Sequence, residues 1–97
     1  MSAVDISVRL VSEDARCFGL VAIVREGKDE TKHEVALGRD MLLRLAPGES
    51  AEAFVERCFV FLLERESKES ILRHFDVSVI GRYFPEFEKA ITAIPRK

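Results

Sequence analysis

Val4, Ile6, Val8 and Leu10 alternate with Asp5, Ser7 and Arg9. A period of two puts the first set on one face of an extended chain and the second on the other, so a half-buried strand is predicted over 4–11. Ser12, Glu13, Asp14 and Ala15 form a polar connection. Over 16–26 the chain is apolar on both parities, with Phe18, Leu20, Ala22 and Val24 set against Val21 and Ile23. That is the pattern of a strand covered on both faces, and hence of a central strand. Gly19 inside it marks a bulge or a close approach of backbone. The polar cluster 26–30, with Gly27, predicts a hairpin turn of about five residues. Alternation resumes over 31–37, with His33, Val35 and Leu37 on one parity. Three such strands in succession predict an antiparallel meander.

After Gly38 the period lengthens. Asp40 is placed to cap a short helix over 40–45, closed by Pro47 and Gly48. Ser50 is placed to cap a main helix over 51–66, with Glu52 in its first turn complementing the dipole. Ser67 opens a third helix predicted over 68–84, where Ile71, Leu72, Phe75, Val79, Ile80, Tyr83 and Phe84 keep a three–four spacing. Asp76 is placed to interrupt it as a local cap. Pro85 restricts Phe84 to extended geometry and suits the first turn of a last helix over 85–93. Pro95, Arg96 and Lys97 read as a frayed tail. The fold class is α+β in a single domain over 1–97: a three-stranded antiparallel sheet followed by helices packed on one face.

Projected at 100° per residue, Ala51, Phe54, Val55, Cys58, Phe59, Phe61 and Leu62 fill an arc of roughly 160°, wider than the ~100° stripe that a helix on a sheet needs. Leu63 widens it further. Six of the seven Phe residues lie between 54 and 87. Either the last helix covers this surplus or a second copy of the chain does, with Phe59, Leu63, Phe84 and Phe87 as the expected interface.

Composition narrows the class. A hydrophobic fraction of 47% and a charged fraction of 33% belong to a globular chain rather than a disordered one. A net charge of -2 gives no global drive toward a phosphate polymer. Cys17 and Cys58 are isolated thiols of the kind kept reduced in the cytoplasm. A zinc site built from Cys and His would consume both Cys and both His, so no metal and no cofactor is expected. The opening Met1 to Asp5 has neither the basic nor the apolar stretch of a signal peptide. Runs such as 59–63 are too short to span a bilayer, so no membrane partner is expected.

Candidate chemistry is thin. Glu49, Glu52, Glu56, Glu64, Glu66 and Glu69 crowd the main helix without a His at helical spacing, so no carboxylate–histidine metal site forms there. On a helix over 68–84, His74, Ser78 and Arg82 would share a strip. Arg73, His74, Arg82 and Tyr83 are therefore the candidate binding residues, with no catalytic residue assigned. His33 reads as a structural or pH-sensitive histidine.

The segments Phe61-Leu62-Leu63-Glu64-Arg65-Glu66, Ile71-Leu72-Arg73-His74-Phe75-Asp76 and Val79-Ile80-Gly81-Arg82-Tyr83-Phe84-Pro85-Glu86-Phe87-Glu88 together resemble the C-terminal half of a family of small uncharacterised bacterial proteins. The resemblance implies a bacterial cytoplasmic protein and transfers no activity and no site residue. The expected function is a non-enzymatic protein–protein interaction module, homodimeric or otherwise homo-oligomeric, with another protein partner as a variant of the same idea. One alternative is a nucleic-acid-associated or regulatory protein using Arg39, Arg44, Arg73 and Arg82. Another is a small-ligand binder or enzyme around His74, Arg82 and Tyr83.

Overall fold

The computed structural model describes residues 4–93. The opening tripeptide and the tail expected to fray lie outside the described residues. Three long strands, β1 (Val4–Glu13), β2 (Cys17–Glu26) and β3 (Asp29–Gly38), pair antiparallel in sequence order. Helices α1 (Arg39–Leu45) and α2 (Ala51–Leu63) follow. A short strand β4 (His74–Asp76) then joins the far side of β3, and helices α3 (Ile80–Tyr83) and α4 (Phe87–Ala93) complete the chain. The α+β class holds, but the sheet has four strands in the order β1-β2-β3-β4, and the β3–β4 pair is parallel.

The fourth strand replaces part of the helix predicted over 68–84. That stretch is a 3₁₀ turn (Lys68–Ser70), β4, a second 3₁₀ turn (Val77–Val79) and the four-residue α3. Spacing misled here because Ile71 and Phe75 are four apart, an even number. They share a face in a strand as well as in a helix. Val77, fully enclosed, extends that set at the strand period. Asp76 does act as a cap, its carboxylate accepting from the Ser78 backbone N–H at 2.9 Å.

Smaller differences have local causes. The β2–β3 turn is Gly27-Lys28 alone, since Glu26 pairs directly with Asp29. Positive φ at the first central residue only, Gly27 at 62°, is the type II′ pattern, which matches the twist of a hairpin. Asp40 lies in the first turn of α1, whose cap position is Gly38. Ser50 caps α2 as expected, accepting from Ala53 N–H at 3.1 Å, but α2 stops at Leu63 rather than 66. Pro85 and Glu86 precede α4 rather than beginning it, and Phe84 leaves the helical region before the proline.

The helices cover one face of the sheet. Leu20, Ala22 and Val24 of β2 and Val35 and Leu37 of β3 point into them and are buried, as are the seven apolar residues of the α2 arc. Phe61 meets Phe87 edge-on at 5.1 Å and Phe84 at 5.8 Å, while Phe59 lies 5.2 Å from the His33 ring and 6.0 Å from Phe75. The surplus width of α2 is therefore covered from within the chain. Phe59 and Phe87, expected at an interface, are enclosed at 0% and 1% exposure, whereas Leu63 and Phe84 are half-buried. β2 is central as predicted, but its second parity, Val21 and Ile23, lies half-buried on the face opposite the helices.

Candidate functional site

Between the end of α2, the segment before β4, and α3 there is an apolar groove of about 300 Å³. Leu62, Ile71 and Ile80, each buried, contribute to its lining. Leu72 at 48% exposure and Tyr83 at 67% present apolar surface to solvent along it. Glu66 and Ser70 are its polar members. Ile71, Leu72 and Phe75, on the stretch that leads into β4, form one side of it.

One wall of the groove is tied to the sheet by backbone groups. Glu34 N–H donates to the Arg73 carbonyl at 2.7 Å. His33, enclosed at 0% exposure on β3, places Nδ1 at 2.8 Å from the Leu72 carbonyl. A carbonyl only accepts, so Nδ1 carries the proton, and Nε2 accepts from the Thr31 hydroxyl at 2.9 Å. Burial is the main cause holding the His33 pKa below its ordinary 6.5; the Leu72 bond opposes this and the charge of Arg73 adds to it.

The four predicted binding residues do not form one cluster. Tyr83 and Phe84 line the groove. His74 sits on β4 with Nδ1 3.4 Å from the Glu34 carboxylate, and it borders a different hollow on the open face of the sheet. That hollow, about 460 Å³, lies over Gly19, Val21 and Ala36 and is edged by Val11 and Glu34. Arg73 and Arg82 are exposed. The shared strip required a continuous helix, which β4 interrupts. Arg39 is engaged with Glu13, with the Asp14 carbonyl and with the Phe18 ring, and Arg44 makes a two-bond pair with Glu88.

Two polar clusters inside the fold had no sequence signal. Arg57 makes two bonds to Glu49, at 2.7 and 2.9 Å, and donates to the Ile91 carbonyl at 2.7 Å, tying α2 to the loop before it and to α4. Lys68 is buried at 4% exposure with Nζ 2.7 Å from Glu69 and 3.4 Å from Glu26. The Glu69 bond leads the causes that raise its pKa, so it stays charged. Glu49 lies outside α2 and Glu26 on β2, so neither cluster follows from the periodicity of a single element. Burial pushes the Cys58 thiol far up, which removes it from thiolate chemistry.

Among the described residues no group of three His, Cys, Asp or Glu is placed to hold a metal ion. No described helix is long and apolar enough to cross a membrane. No protein-family model, curated protein or solved structure matches the chain. Site roles therefore rest on geometry alone.

Proposed function

We propose that the chain is a non-enzymatic protein-interaction module that associates with copies of itself through the free margin of its sheet. One observation carries this reading: β1 is an edge strand of ten residues whose apolar side chains the chain's own helices cover only in part. Ile6, Val8 and Leu10 point toward the helical layer and pack on the core, yet all three remain half-buried. Their cross-strand partners Val24, Ala22 and Leu20 are enclosed at 0–1% exposure. Val4 and Val11 are 45% and 53% exposed. A long unpaired edge with apolar flanks is the usual template for another strand. Size-exclusion chromatography with light scattering tests the reading. A dimer is expected at tens of micromolar, and a strict monomer there refutes it.

The groove favours a second reading, a binder of small apolar ligands. Its volume is at the small end of ligand pockets, and Tyr83 supplies a phenol beside an apolar lining. Leu72→Glu then abolishes binding of an apolar fluorescent dye without unfolding the chain; unchanged binding dismisses the groove. The nucleic-acid reading has less support, because Arg39 and Arg44 are already paired with carboxylates.

A further inference from the structure

We infer that two copies pair through β1 in one antiparallel register, with Ser7 of one copy facing Ser7 of the other across a two-fold axis. The inference rests on the self-association reading above and adds the surface and alignment. Directly opposed residues of antiparallel strands share a face, so a slip by one residue would set buried positions against solvent. The registers left are those centred on a residue of the strand, and charge separates them. Asp5 and Arg9 are the charged residues between Val4 and Leu10, both exposed and on the open face. Centring on Asp5 or Arg9 sets like charges against each other. Centring on Ile6 or Val8 sets Asp5 or Arg9 of one copy against Ser7 of the other. Centring on Ser7 pairs Asp5 of each copy with Arg9 of the other, twice over. On the helical face it sets Ile6 against Val8 and Val4 against Leu10, all apolar.

Apart from Asp5 and Arg9, whose charges this register pairs, that stretch carries none of the usual guards of an edge. It contains no Pro and no Lys, and its pairing with β2 is regular from Val4 to Leu10, the irregularity falling beyond, between Leu10 and Ser12. Natural edge strands carry such guards when they are meant to stay single. The product is a continuous eight-stranded sheet with both helical layers on one side, an isologous contact that closes on itself.

The test uses charge and cross-linking together. Arg9→Asp alone leaves two acidic positions and Asp5→Arg alone two basic ones, so each variant self-associates roughly tenfold more weakly than the parent. Mixing the two restores association, because every facing pair is again opposite in sign. Separately, in a Cys17→Ser background, Ser7→Cys forms a covalent dimer on mild oxidation, since facing Cβ atoms lie within about 5.5 Å. Arg9→Cys, displaced along the strand from its own copy, does not. A dimer that shows neither rescue on mixing nor the Ser7→Cys cross-link overturns this register while leaving self-association standing. A monomeric parent, including one that gains a strand only from a different protein, overturns both.

Discussion

At the residue scale, the fold depends on a few polar side chains held largely out of water. Arg57 satisfies a carboxylate and a helix-end carbonyl at once, with 17% of its side chain exposed and 10% of that of Glu49. Removing one member of such a pair strands the other, so Arg57→Ala is expected to cost about 3 kcal/mol in urea unfolding. His33 makes stability depend on pH. Its folded pKa lies below the unfolded 6.5, so between those values the unfolded chain binds more protons. The contribution is complete above 6.5 and lost as pH falls toward the depressed value, with a slope of at most ~1.4 kcal/mol per pH unit. His33→Gln retains a donor for Leu72 and flattens that slope; an unchanged slope assigns it to other groups. Thiol labelling of the native chain modifies Cys17 well ahead of Cys58, which reacts on unfolding. None of these partners was legible in the sequence, because Arg57–Glu49 and His33–Leu72 depend on how loops return to the sheet.

At the element scale, sequence and structure agree wherever one period was decisive. β1, β3 and the buried arc of α2 follow directly from side-chain alternation and the Ser50 cap. Agreement fails over 68–84, where Ile71 and Phe75 satisfy both periods and local geometry was left to tertiary pairing with β3. The groove was illegible for the same reason, since part of its lining comes from the stretch that enters β4. Gly19 was legible as a close approach, and the structure supplies the neighbour: a Cβ there would collide with the Ser12 Oγ. The hydroxyl can rotate away, so Gly19→Ala is expected to cost under about 1 kcal/mol, and the cost vanishes in a Ser12→Ala background. Thermal melts of the single and double variants decide this.

At the scale of the whole molecule, the helices are all committed to one side of the sheet. The wide α2 arc pointed to a partner, and α4 with β4 supply that cover from within. The shortfall lies instead at β1, where Ile6, Val8 and Leu10 stay half-buried although α2 packs against the strand. A two-faced pattern in β2 also expects a second cover, yet Val21 and Ile23 lie half-buried on the face away from the helices. The run from Val4 to Leu10 is near-symmetric about Ser7, but its meaning depends on β1 lying at an edge. Topology, rather than composition, decides that.

The attachment of β4 has a kinetic consequence. It spans only three residues and hangs on β3 by a short parallel ladder, with the Leu72 carbonyl held by the His33 ring and the Arg73 carbonyl by the Glu34 N–H. A flap so lightly hinged peels away at far lower free energy than the antiparallel hairpins melt. In deuterium the Glu34 amide therefore exchanges early, while the amides that join β2 to β3 hold their protons until the entire molecule opens.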